Sequence, residues 1–209
     1  MALKIYGIPA SRAIRPIWAA EELGLPYENI PLHYASAAVK APAYLAINPN
    51  GTVPAIDDDG LVIYESLAIT LHLARKHAGQ GLWNGTAEQD AHILQWTLWA
   101  ATMVEPLTTQ WAQHTRLLPA EQRNPALAEG ALAALGKPLA VLDAHCARHP
   151  YLLGAVFTVA DLNVASVLHR LADLDAAGFT SLGEWHQRCV TRPAALRAFA
   201  MRQRRLKAA

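Results

Sequence analysis

The sequence predicts a two-part chain, a small α/β unit followed by an all-α unit. Three observations predict it. Residues 3–77 alternate short apolar runs with helical patterns in the order β-α-β-α-β-β-α. A glycine-containing stretch, AGQGLWN over Ala78–Asn84, then interrupts the pattern. Beyond it only helical periodicity remains, with two helix-start signatures at Thr86-x-x-Gln89 and Thr158-x-x-Asp161. The expected boundaries are 1–77 for the first unit, 78–85 for a linker and 86–209 for the helical unit.

The first strand is Ala2–Gly7, carrying Leu3, Ile5 and Tyr6. Ser11 is placed as an N-cap for a helix running to about Gly24, with Ile14, Ile17 and Trp18 on its apolar face. Gly24 and Pro26 stop it, and Tyr27–Ile30 is a second strand. A right-handed crossover makes these two strands parallel. Residues 33–43 are a loop, and Pro42–Ile47 is a short helix. Asn48-Pro49-Asn50-Gly51 is a dense turn signal, followed by a hairpin of Thr52–Ile56 and Leu61–Tyr64 around an Asp57–Gly60 turn. Pro54 cannot donate to a ladder, so its strand is an edge or the bond before it is cis. Glu65 and Ser66 stand at the start of a helix to His77, where orphan N–H groups favour anions. Together these features make a receptor for a small peptide. The outline is thioredoxin-like.

In the second part a long helix runs from Thr86 to about Arg116, with a kink at Pro106. A helix over Leu127–His149 follows, weakened by Gly136 and Pro138. Thr158 and Asp161 cap the next helix, and loss of Asp161 is expected to cost about 1 kcal/mol or somewhat more. Helices near Leu182–Val190 and Pro193–Leu206 complete the unit.

The 209 residues are 53% hydrophobic with a formal net charge of +1. That suits a packed core and is too balanced for a dedicated nucleic-acid binder. The basic residues Arg202, Arg204, Arg205 and Lys207 suit a helix C-terminus. No apolar run approaches the roughly 20 residues of a membrane span, and no signal peptide is evident. Two cysteines, Cys146 and Cys189, without a CxxC spacing fit a reducing, cytoplasmic compartment. His145 and His149 stand at i, i+4, but a closed zinc site needs four ligands, so no metal is expected.

Four pieces carry a family resemblance: Ser11-x-x-x-Arg15, Glu21-Glu22-Leu23-Gly24-x-Pro26-Tyr27, Asn48-Pro49-x-Gly51-x-Val53-Pro54, and Glu65-Ser66-x-Ala68-Ile69. Taken in order, residues 3–77 resemble the N-terminal domain of a cytosolic glutathione S-transferase of the serine type, bacterial or theta-like. Phe157–Leu162 resembles the capping motif of that family's helical domain. The resemblance implies the glutathione transferase fold, a thioredoxin-like domain followed by an all-helical one. It implies glutathione as cosubstrate, no permanently bound cofactor, a hydrophobic electrophile and a homodimer.

It further implies roles for residues. Val53 would pair its backbone with the cysteinyl residue of glutathione beside a cis bond to Pro54. Glu65 and Ser66 would hold the γ-glutamyl end. Ser11 would donate to the sulfur, with Arg15 as electrostatic support; Tyr6 is the rival donor, and a plain capping role for Ser11 stays open. Relatives often carry a basic residue where this chain has Thr52, and Lys40 or His33 would substitute for it. Trp99 and Met103 are candidates for the electrophile site, with helix core or subunit interface as the alternative. The missing cysteine at the first helix argues against a redox thiol enzyme. Disulfide, peroxide or dehalogenase chemistry at the same site, and a non-catalytic binding module, are the other readings.

Overall fold

The computed structural model describes residues 3–83, 85–169 and 178–206, without the side chains of 203–206. The expectation for Arg204, Arg205 and Lys207 therefore lies outside the described side chains. By packing, one unit falls within Met1–Gly85 and Thr191–Ala209, and the other within Thr86–Val190.

The sheet of the first unit has the order β2-β1-β3-β4. β1 (Leu3–Tyr6) runs parallel to β2 (Tyr27–Ile30) and antiparallel to β3 (Ala55–Asp58), which pairs antiparallel with β4 (Leu61–Tyr64). α1 (Ile14–Glu22) crosses between β1 and β2, and α3 (Ser66–Lys76) follows β4. Ile5 faces Ile56 across the sheet, and both are fully buried with Ile17, Trp18, Ile69 and Leu73. Burying each such side chain stabilises by about 1.5–3 kcal/mol. Asp59 and Gly60 both have positive φ, 54° and 92°, as a two-residue hairpin turn with matching twist requires.

Three expectations shift. The hairpin strand keeps its pairing through Asp58, so the turn is Asp59-Gly60 rather than Asp57–Gly60. Pro54 stands before β3, not inside it, and the Val53–Pro54 bond is cis. α1 begins at Ile14, and Ala13 in αR conformation occupies its N-cap position without a side-chain bond. A turn through residues 11–13 thus separates Ser11 from the helix it was expected to cap. The loop before α2 (Pro42–Leu45) also contains a short 3₁₀ turn, Ala37–Lys40.

The last helix, α9 (Pro193–Leu206), packs on α1. Arg192, just before it, grips Glu22 with two bonds of 2.8 Å, Nε to Oε1 and Nη2 to Oε2. Arg197 Nε donates to Glu21 Oε2 at 2.6 Å, and the Trp18 ring lies 5.5 Å from that of Phe199.

Asp58, only 6% exposed, accepts from Lys76 Nζ at 2.7 Å and lies 2.7 Å from His72 Nε2. Burial alone would raise its carboxyl; the bonds from Lys76 and His72 outweigh this and hold it below the ordinary value. A depressed folded pKa gives stability that is present above the unfolded value, about 3.9, and is lost as pH falls through the folded one. Asp58→Asn is therefore expected to cost about 2 kcal/mol at pH 7, with the gap to wild type closing below about pH 4. Urea unfolding across that range checks it; a gap independent of pH would contradict the ionic account.

In the second unit Thr86 Oγ1 accepts from Gln89 N at 3.2 Å and caps α4 (Ala87–Trp99). A π-helical turn, Ala100–Val104, joins it to α5 (Glu105–Ala112), and a second, Gln113–Leu117, ends the stretch. Pro106 stands in the first turn of α5, directly after the wide turn. Its missing N–H and ring are tolerated there because the i→i−4 ladder is already interrupted. α6 (Pro125–Cys146) is capped by Asn124, whose Oδ1 accepts from Ala126 N at 3.0 Å. It packs against α5 and α8 (Thr180–Val190), burying Ala128, Ala131, Leu135, Leu139 and Leu142. Contrary to the reading of apolar runs, α6 is long and apolar enough by length and composition to cross a membrane. Here its apolar stripe faces neighbouring helices.

α7 (Val159–Val167) is buried along its whole length and begins with the capping box of Thr158 and Asp161. Asp161 does more than cap. Its Oδ1 accepts from Leu152 N at 2.8 Å and Trp185 Nε1 at 3.0 Å, and its Oδ2 from Thr158 N at 2.9 Å and Thr158 Oγ1 at 3.1 Å. Burial pushes the carboxyl up, and these donors act against it. Neither cysteine is poised for chemistry. Burial, with Asp161 and Asp143 nearby, raises the Cys146 thiol to about 12, and Cys189 is fully buried.

Candidate active site

Three segments converge at Gly7, just after β1. A Cβ placed there would lie 2.8 Å from Ala13 Cβ, 3.2 Å from Val53 Cβ and 3.5 Å from Ser11 Oγ. With φ at +133°, glycine is the residue that permits this approach. Asn29 secures the end of the strand, its Nδ2 donating to Ile5 O at 3.0 Å and Gly7 O at 2.8 Å.

Ser11 Oγ donates to Ile8 O at 2.7 Å and accepts from Ala13 N at 3.1 Å. Its proton is thus held by a local carbonyl and reaches another acceptor by rotating about the Cβ–Oγ bond. The amide bond to Ala13 can persist through that rotation.

Arg15, 2% exposed, extends from α1 to the start of α3, where its Nη1 donates to Ser66 Oγ at 2.9 Å. Ser66 is 5% exposed and accepts this bond, so its own hydroxyl proton is left for an anion. A permanent cation beneath an eleven-residue helix start reinforces the positive dipole end. Glu65, the residue before α3, is exposed and has φ 71° and ψ 108°. A glutamate in that region is costly, and the Glu65 side chain makes no capping bond.

Val53 precedes the cis bond, and among the described residues no hydrogen bond engages its N–H or C=O. The preceding peptide is held firmly. Thr52 O accepts from Tyr44 Oη at 2.7 Å and from Asn48 Nδ2 at 2.8 Å. Asn48 is 1% exposed, and its Oδ1 accepts from Asn50 N at 3.1 Å. Burial raises the Tyr44 hydroxyl to about 12, with the neighbouring Asn48 amide acting against it.

Lys40 lies over the same loop, its Nζ donating to Asn50 O at 3.2 Å. Gly51, φ +60°, makes room: a Cβ there would sit 2.7 Å from Lys40 Nζ and 2.8 Å from Val39 O. Tyr6 is half-buried with its ring 6.0 Å from that of Tyr44. His33 stacks on Tyr34 at 4.4 Å, and its Nδ1 accepts from Ala35 N. Trp99 and Met103 belong to the second unit. Trp99 meets Trp96 edge-on at 5.3 Å, and Met103 is 51% exposed.

Of the residues singled out in the sequence, Ser11 and Val53 meet beside Gly7, and Arg15 and Ser66 are bonded. The sequence singles out Asn48 as part of a turn and of the family motif, and it does not single out Tyr44. The Asn-Pro-x-Gly run signals the turn, but nothing local signals a hydroxyl eight residues from the carbonyl it holds. Chemically the arrangement offers a hydroxyl and an open backbone edge beside Gly7, and a cation-backed start to α3.

Residues 1–75 match the family model described as glutathione S-transferase, N-terminal domain, and residues 125–188 match that of the glutathione S-transferase C-terminal domain. Glutathione S-transferase 4 of Zea mays is 32% identical over 201 residues, 93% of this chain and 90% of that protein. Elongation factor 1-gamma 1 of Oryza sativa subsp. japonica is 31% identical over 186 residues, 87% of this chain but 43% of that protein. The crystal structure of a theta class glutathione S-transferase from Xanthomonas axonopodis pv. citri, with glutathione bound, superposes with a TM-score of 0.85 at 31% identity, over 94% of this chain and 96% of that one.

Proposed function

Because the chain belongs to the glutathione S-transferase family, we propose that it binds glutathione and activates its thiol for attack on an electrophile. What supports this reading is the approach of Ser11 and Val53 to Gly7, together with the bond that Arg15 of α1 makes to Ser66 at the start of α3. The Val53 N–H and C=O pair with the cysteinyl residue, as an added strand would. The γ-glutamyl carboxylate takes the Ser66 hydroxyl and the start of α3, and its ammonium takes Glu65. Lys40 serves the glycyl carboxylate in place of a charge at residue 52. That orientation brings the sulfur to Ser11.

A free thiol has a pKa near 8.5 and is mostly protonated at neutral pH. The Ser11 hydroxyl, swung away from Ile8 O, donates to the sulfur and favours the thiolate, with Arg15 adding positive potential. The thiol proton passes to solvent, and the thiolate gives its electron pair to an electrophilic carbon; a carbon–sulfur bond forms and the leaving group departs with its bonding pair. Trp99 and Met103 are proposed to contact the electrophile. A homodimer in the cytoplasm is the setting proposed for this activity.

The likeness to an elongation factor 1-gamma favours a second reading, a transferase-like module that binds without turnover. Titration of glutathione at neutral pH, followed by ultraviolet difference absorbance of the thiolate, separates the two. A saturable thiolate signal is expected. No thiolate signal at about millimolar glutathione would overturn the transferase reading and leave the module.

A further inference from the structure

We infer that Tyr44 and Asn48 are positioning residues that set the Val53 N–H for ligand recognition by holding the other side of its peptide group. The inference rests on the proposed glutathione site. Thr52 O has two lone pairs, and two buried donors fill them, Tyr44 Oη at 2.7 Å and Asn48 Nδ2 at 2.8 Å. The Thr52–Val53 peptide is planar, so fixing its carbonyl fixes the N–H on the opposite side. The two bonds also polarise the group, which makes the Val53 N–H a stronger donor.

The donors reach the carbonyl from separate supports. Tyr44 comes from α2, 5% exposed, with its ring beside Tyr6. Asn48 comes from the turn after α2 and is braced through Oδ1 by Asn50 N and Asn50 Nδ2, each at 3.1 Å. Neither side chain needs to touch the ligand. An unanchored Thr52–Val53 peptide could swing about its flanking bonds, and a ligand would then have to order it on binding.

Tyr44→Phe removes one donor and keeps the ring; Asn48→Asp removes the other and keeps the acceptor for Asn50. Each is expected to raise the glutathione KM about fivefold with kcat within about twofold, the effect of one hydrogen bond. The double variant is expected to lose more than either alone. A direct readout needs no ligand: the Val53 amide resonance in ¹⁵N-labelled protein is expected to move upfield in Tyr44→Phe, with the unfolding midpoint of that variant near wild type. Wild-type binding with an unchanged KM and an unmoved Val53 amide in Tyr44→Phe would overturn the inference alone. A shifted amide with unchanged KM would also overturn it, since the peptide would respond without recognition depending on it. Absence of glutathione binding by wild type would overturn it together with the reading beneath it.

Discussion

Replacing Asp161 with alanine is expected to lower stability by about 3–4 kcal/mol, several times the cost of losing a helix cap. The carboxylate is fully buried and receives three N–H groups, from Leu152, Thr158 and Trp185, besides the Thr158 hydroxyl. Alanine leaves those donors in a place that water does not reach, and each unsatisfied group costs about 1–3 kcal/mol before relaxation. Asp161→Asn keeps the shape and one acceptor but turns an NH₂ toward one pair of donors, so it is expected to recover only part of the loss. Urea unfolding of the three proteins provides the test. A loss near 1 kcal/mol for alanine would mean that the cap alone matters and that Leu152 and Trp185 find other partners.

Ser11→Ala is expected to reduce kcat/KM toward an electrophile about 100-fold, the usual cost of removing one donor aimed at developing or settled negative charge. Glutathione affinity should change little, because the peptide contacts proposed for Val53, Glu65 and Ser66 remain. The thiolate absorbance at neutral pH should fall with the activity. Tyr6→Phe is the paired control and is expected to stay within about threefold of wild type, since the Tyr6 ring packs beside Tyr44. If Tyr6→Phe instead takes the large loss, the sulfur contact belongs to Tyr6, and the Ser11 hydroxyl keeps its bond to Ile8 O.

What could be read from the sequence follows from how local each interaction is. The hairpin turn ending at Gly60, though not its exact start, the Thr86 cap and the Thr158–Asp161 box involve residues within four positions of one another, and their chemistry is written in that spacing. The start of α3 beside Glu65 was legible for the same reason, although the positive φ of Glu65 was not. Ser11 looked like a cap because serine before an apolar helical pattern usually is one; the turn through Ala13 intervenes, and the backbone path decides. The extent of β3 depends on its pairing with β1, a register set by side chains 49 to 55 residues apart. The Arg15–Ser66 bond spans 51 positions, and only the family resemblance drew the two together. The convergence of Tyr44 and Asn48 on one carbonyl has no periodicity and no composition, so it emerges only from coordinates.

The placement of α9 has a consequence for the order in which the chain is made. The surface of α1 that receives α9 leaves the ribosome early, while Phe199, Arg192 and Arg197 come from the far end. Between them lie all of residues 86–190, on the order of ten seconds of translation. For that interval the nascent first unit has its sheet, α1 and α3 but lacks the helix that covers Trp18. The second unit, contiguous in sequence, has every residue it needs before synthesis reaches α9. Of the two units, the one synthesised first is therefore the one that must be finished last.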